Sequence, residues 1–206
     1  MNCKNLIIAP HVDDEILGCG GILSSNFFIL HCGLAESQDH GEIFLSRKFR
    51  IKEFEKVKEK VGFEYKVLHH PVNNMQTHKM IKDIENIINK VEPEEIYIPS
   101  PSYNQDHKAV YDACLIALRP HDVNFFVNRV SVYEQPQDLW ESGREHFIPN
   151  AFTEIDINKK IDLYNIIQSQ IREHRSVEHL KALAKIRGAQ SDVDYAEAFK
   201  IVRWVR

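Results

Sequence analysis

Residues 6–21 read LIIAPHVDDEILGCGG. One imidazole, His11, and three carboxylates, Asp13, Asp14 and Glu15, fall within five positions, directly after a short apolar run and Pro10. Imidazole nitrogens and carboxylate oxygens are the ligands of catalytic zinc, which takes three protein donors and keeps a fourth position open. With Asp14 in the first turn of a helix and His11 in the loop that caps it, side chains three residues apart converge on one point. Asp13 then points elsewhere, toward whatever the metal holds. A plain reading competes: carboxylates at a helix N-terminus complement its dipole. For an isolated Asp-Asp pair that reading is the better one. His11 and the proline before it favour a site. Cys19 is a weak candidate for a further ligand and more simply a small buried helix residue.

A second stretch repeats the pattern. Residues 99–111 read PSPSYNQDHKAVY, again a strand end, a proline-bearing loop, an acidic residue and a histidine opening a helix. His107 is the candidate third ligand, and Asp106 could orient a ligand or tune a proton donor from behind. Alone, Asp106-His107 would read as a helix cap with an exposed histidine. Two such loops together point to a joint site.

Several elements must bring these loops together. Residues 6–9, 26–32, 65–68 and 95–98 read as strands, and residues 33–41 as a polar loop carrying Glu36, Asp39 and His40. A helix is expected over 43–61, closed by Gly62, and another along the Met80, Ile84, Ile87, Ile88, Val91 stripe, closed by Pro93. A helix over 108–118 carries the second loop. Residues 123–127 and 129–133 are strand-like, and 148–155 reads as an edge strand because of Pro149. A helix begins near Lys159, and a last helix is expected over 194–205, packing through Tyr195, Ala198, Phe199, Val202 and Trp204. Alternating strands and helices imply an α/β, Rossmann-like fold with a mainly parallel sheet and helices on both faces. In such sheets ligands bind at the carboxyl ends of the strands.

The 206 residues suit a single domain spanning 1–206. A net charge of −4 gives no basic field for nucleic acid. No apolar run is long enough for a membrane span. The first residues, MNCKNLIIAPH, are too quickly polar for a signal peptide, so a cytoplasmic location is expected. Cys3, Cys19, Cys32 and Cys114 are scattered and read as thiols.

PHVDDE followed by GCGG, with the later QDHKAVY, resembles the PIG-L / LmbE-like zinc-dependent de-N-acetylases, whose usual patterns are (P/A)HxDDE and HxDH. The closing RGAQSDVDYAEAF, residues 187–199, is similar to that family's last segment, and Arg50 with Glu53 to its R-x-x-E helix. The resemblance implies a hydrolase that removes acetyl from an N-acetylated sugar, whether a glycoside, a nucleotide-linked or a lipid-linked one. It implies Zn2+, or another divalent metal, on His11, Asp14 and His107, with Asp13 as general base and Asp106 in the charge network behind the oxyanion side. Arg50 and Tyr103 are expected to face substrate. A homo-oligomer is left open.

The chain departs from the pattern at Asn104, where many members carry the first histidine of HxDH. That histidine is thought to polarise the oxyanion, and removal of one such donor typically slows an enzyme by about a hundredfold or more. Three outcomes follow. Asn104 substitutes as a neutral donor, or His40, His70 or His78 takes the role, or activity is reduced. The first is favoured, because ligands and base are intact. The remaining alternatives are a non-sugar amide hydrolase and a weakened relative that binds metal or sugar without turnover. Farther along, Glu134, His174, His179 and Trp140 could touch substrate, though a solvated rim position is the default for Glu134, an exposed helix position is favoured for His174 and His179, and a loop-anchor role suits Trp140 equally well.

Overall fold

A computed structural model describes residues 3–34, 37–39, 42–140 and 147–206. At its centre is β1 (Asn5–Ala9), whose Leu6, Ile7, Ile8 and Ala9 are fully buried. A strand apolar on both faces belongs in the middle of a parallel sheet covered on both sides. β1 pairs in parallel with β2 (Phe27–His31) on one side and β6 (Glu95–Pro99) on the other. β5 (Glu64–Val67) extends the β2 side, and β7 (Arg129–Tyr133) the β6 side, both parallel. Antiparallel β9 (Ala196–Trp204) and β8 (Ala151–Glu154) complete the seven-stranded order β5-β2-β1-β6-β7-β9-β8. A separate two-stranded ribbon joins β3 (Ser37–Asp39) to β4 (Glu42–Leu45).

Alternation along the strands builds two cores. Leu6 and Ile8 pack against α3 (Thr77–Val91) and α4 (Gln105–Ala117), through residues such as Ile84, Ile88 and Val110. Ile7 and Ile29 face the opposite layer of α1 (Asp14–Cys19), α2 (Arg47–Val61), α5 (Ile157–Tyr164) and α6 (Val177–Ser191). The fold is thus Rossmann-like, with helices on both faces. From β1 the chain moves outward to β2 and β5, then returns to β6 on β1's other flank. The order reverses between β1 and β6, which opens a crevice at their carboxyl ends.

Four differences from the sequence reading stand out. Residues 194–205 form β9, not a helix. Tyr195, Ala198, Phe199 and Val202 happen to match a helical stripe, but from Lys200 the burial alternates with period two, and ladders to both β7 and β8 decide the conformation. Residues 43–45 belong to β4, because the Ser46 side chain accepts from Phe49 N–H and starts α2 only at Arg47. Residues 123–127 form no strand: Phe125 N–H donates to the Asn89 side chain, and Arg203 stacks on Phe126. The fourth is α6, which sequence periodicity misses. Its buried face, Leu180, Ala184, Arg187 and Gly188, is a narrow mix of small and charged residues. Among the described residues, no helix is long and apolar enough to cross a membrane.

α1 reaches the sheet only because Gly18 has no side chain. A Cβ there would lie 2.9 Å from Cγ of the fully buried Tyr133, whose hydroxyl donates to the Ile8 carbonyl. Neither partner has room to yield. Gly18→Ala is therefore expected to destabilise the fold by about 1–3 kcal/mol, read as a lower urea midpoint with unchanged slope. A midpoint equal to that of the parent would refute this packing account.

Candidate metal centre

β1 stops at Ala9, and the loop beyond it is held at β2's end by Cys32 N–H to the Ala9 carbonyl and Gly33 N–H to the Pro10 carbonyl. Asp13, the residue before α1, adopts φ 153° and ψ −26°, a conformation that disfavours L side chains. A buried pair secures it: Glu15 Oε2 accepts from Asp13 N–H at 3.1 Å and lies 2.9 Å from His31 Nε2. Both Glu15 and His31 are wholly inaccessible. The third carboxylate of the motif thus shapes the loop and does not enter the pocket.

Three side chains converge on one point. His11 Nδ1 and His107 Nε2 each lie 3.4 Å from Asp14 Oδ2, and one donor atom from each of the three falls within 4.8 Å of the others. Asp14 Oδ2 also accepts the His11 backbone N–H at 2.8 Å. Behind His11, Asp106 Oδ2 lies 3.0 Å from Nε2. Asp106 is itself held by the Asn73 and Met75 backbone N–H groups, at 2.6 and 3.2 Å. Its contacts thus orient the His11 ring.

The charges are strongly coupled. Burial opposes a charged His11, but hydrogen bonds to Asp106 and Asp14 push its pKa up to about 10. Burial likewise opposes ionised Asp14, yet the charges of His107 and His11 hold it well below the usual carboxylate range. Burial lowers His107, which outweighs the pull of Asp14. Without a metal, a proton on His11 offsets only part of the negative charge of Asp14 and Asp106; a cation among these donors would take that proton's place. Two imidazoles and one carboxylate, with a position left open, fit zinc.

The three residues lie in a cavity of about 540 Å³, within the usual range for small-molecule sites. Asp13 lines the same cavity, and its Oδ2 is 3.1 Å from Arg175 Nη1. A family model described as PIG-L, GlcNAc-PI de-N-acetylase, matches residues 6–118, which include both loops. The chain belongs to the PIG-L family. Solved structures share its fold at low identity. The conserved protein TT1542 from Thermus thermophilus is 23% identical, with 99% of this chain and 96% of that one covered and a TM-score of 0.78. N,N'-diacetylchitobiose deacetylase from Pyrococcus horikoshii, solved with an inhibitor, is 18% identical over 96% and 83% of the two chains, also with a TM-score of 0.78. GalB, a 4-carboxy-2-hydroxymuconate hydratase from Pseudomonas putida, is 19% identical over 98% and 97%, with a TM-score of 0.74. No curated protein matches the chain.

In this PIG-L chain the second loop has its own local logic. Asn104 caps α4, its side-chain oxygen accepting from Asp106 N–H at 2.9 Å. Asn104 and the half-exposed Tyr103 both line the cavity. Arg50 lines it too, and its Nη2 donates to the Val12 carbonyl at 2.7 Å. One turn later, Glu53 accepts from the Ser169 N–H and hydroxyl.

The other candidates separate. His70 pairs with Asp83, and His78 is exposed on α3 away from the cavity. His179 bonds Ser176 at the start of α6, while His174 does line the cavity. Glu134 is neither in the pocket nor at a rim: it is buried in a two-pronged pair with Arg187. Cys19 lies beyond the metal group, near Glu197 and Lys160, and burial pushes its thiol far up. Glu36, His40 and the side chains of Asp39 and Trp140 lie outside the described residues. Sequence reasoning missed Arg175 as the partner of Asp13. The only signal was a polar stretch, Arg172 to Arg175, with two arginines and no apolar stripe to give it a packing role.

Proposed function

We propose that this chain is a zinc-dependent N-deacetylase that hydrolyses the acetamide of an N-acetylated sugar. The observation that carries the reading is the convergence of His11, Asp14 and His107 in a cavity whose wall includes Asp13. The sugar class rests on membership of a family described by a GlcNAc-lipid de-N-acetylase. The deacetylase from P. horikoshii, which shares the fold, agrees with it. GalB, named a hydratase, shows that the fold alone does not choose the reaction.

In this reading His11, Asp14 and His107 hold the metal, which when bound supplies Lewis-acid activation of water and of the acetyl carbonyl. Asp13 takes a proton from the attacking water as its oxygen bonds to the acetyl carbon. Asp13 then returns that proton to the nitrogen as the C–N bond breaks, leaving acetate and a free amine. Asn104 presents its side-chain N–H₂ to the oxyanion, and Tyr103 and Arg50 face the substrate. Asp106 is a positioning residue, acting through His11. Asp106→Asn is expected to weaken metal binding by about 10–100-fold, in a competition titration against a chromogenic chelator. An unchanged affinity would remove that role.

A second reading has one observation in its favour. Asn104 is held as the cap of α4 through its side-chain oxygen, so the oxyanion side has a neutral amide donor in a fixed orientation where the family pattern carries a histidine. A relative that binds metal and sugar with little turnover would follow. Acetate release from a panel of N-acetyl sugars, with and without a chelator, decides between them. Chelator-sensitive acetate is expected; tight metal binding with no acetate from any amide would favour the second reading.

A further inference from the structure

We infer that the mouth of this cavity is built to take a phosphate or carboxylate group carried by the substrate, away from the acetamide. The inference rests on the deacetylase reading for the position of the acetamide, and on other residues for the anion. The cavity lining carries three arginines, Arg50, Arg172 and Arg175, against two aspartates, Asp13 and Asp14. Adding a divalent ion at the floor leaves the cavity with a marked positive excess. Two of the arginines are already engaged, Arg175 by Asp13 and Arg50 by the Val12 carbonyl. Arg172 is exposed, and neither it nor the neighbouring His174 makes a side-chain hydrogen bond or ion pair among the described residues. Glu173, between them, does not line the cavity.

An exposed arginine is ordinarily a solvated surface group. What distinguishes this one is the effort spent on its backbone. Residues 169–176 carry no regular strand or long helix, yet they are fastened at several points. Glu53 grips Ser169 by its N–H and its hydroxyl. The Tyr164 hydroxyl lies 2.7 Å from the Arg175 carbonyl and 3.2 Å from that of Gln170. A bridge closes Arg172 onto Arg175, and Ser176 caps α6. A turn fixed in this way holds the backbone from which the guanidinium and the imidazole reach the cavity, so an anion has only the two side chains left to order. The guanidinium fork matches two oxygens of a carboxylate or phosphate. An apolar aglycone would find little here, since Val72 is the one aliphatic side chain in the lining.

The test is calorimetric binding to the zinc-loaded full chain of three probes: N-acetylglucosamine, its 1-phosphate, and N-acetylmuramate. At least one of the anionic sugars is expected to bind tighter than the neutral one by about tenfold or more. The tighter of the two says whether phosphate or carboxylate is the natural group. Arg172→Ala should bring the anionic and neutral sugars to near parity, and Arg172→Lys, which keeps the charge without the fork, should keep only part of the preference. Equal affinities in the parent protein, no binding of any probe, or a preference that survives Arg172→Ala would each overturn the inference. Acetate measured in the same samples separates the two proposals. Arginine-dependent anion binding without acetate would remove the deacetylase reading alone, and acetate without any anion preference would remove this inference alone.

Discussion

Asp13→Asn is expected to slow acetate release by about 10²–10⁴-fold, the range for loss of a positioned general base, while metal content stays at the parental level. The two readouts must be taken together. Asp13 lies in the cavity wall and outside the three-ligand group, so its loss should not empty the site. Asparagine keeps the size and shape of the side chain, so the unusual backbone at φ 153° meets the same sterics as in the parent. It cannot take a proton from water. The pair with Arg175 becomes a neutral hydrogen bond, a local change that the fold should absorb. A variant that retains a third or more of the parental rate would show that another group moves the proton, and a variant that loses its metal would make Asp13 a ligand.

His107→Ala is expected to abolish metal retention through gel filtration, and with it chelator-sensitive activity. His107 supplies one of two imidazoles, and its Nε2 is directed at the same Asp14 oxygen as His11 Nδ1. Two remaining donors are one fewer than catalytic zinc sites take from the protein. The substitution also opens a void beside a buried aspartate that has lost one of its two neighbouring imidazoles, so the folded state should weaken as well. Circular dichroism at low temperature separates the effects: a folded variant with full metal occupancy would refute the assignment. If the variant does not fold, His107→Gln, which preserves bulk, carries the same test.

The central parallel strands and the helices between them were readable because their signals are local and redundant. A fully apolar run ending in proline and a strong helical stripe such as that of α3 each admit one conformation. The convergence of His11, Asp14 and His107 was readable for a related reason, since each motif is contiguous and sits at a strand end. The tail was not. Residues 195–202 satisfy both a helical and an extended pattern, and only ladders to β7 and β8 choose. α6 escaped because its buried face includes Arg187, whose two-pronged pair with Glu134 replaces an apolar contact. Arg175 was hidden because its partner lies 162 positions away, a separation that no period or spacing encodes. Glu15 misled in the other direction: its charge suggested the pocket, and its bonds to Asp13 N–H and His31 place it beneath the loop.

Arg50 and Glu53 stand three residues apart on one face of α2. The first ties down the loop that carries the ligands and Asp13, through the Val12 carbonyl, and the second the loop that carries Arg172 and Arg175, through Ser169. Floor and rim of the cleft are therefore bolted to a single rigid turn about 5 Å long. The spacing between the His11–Asp14 group and the Arg172 turn is set by that common mount.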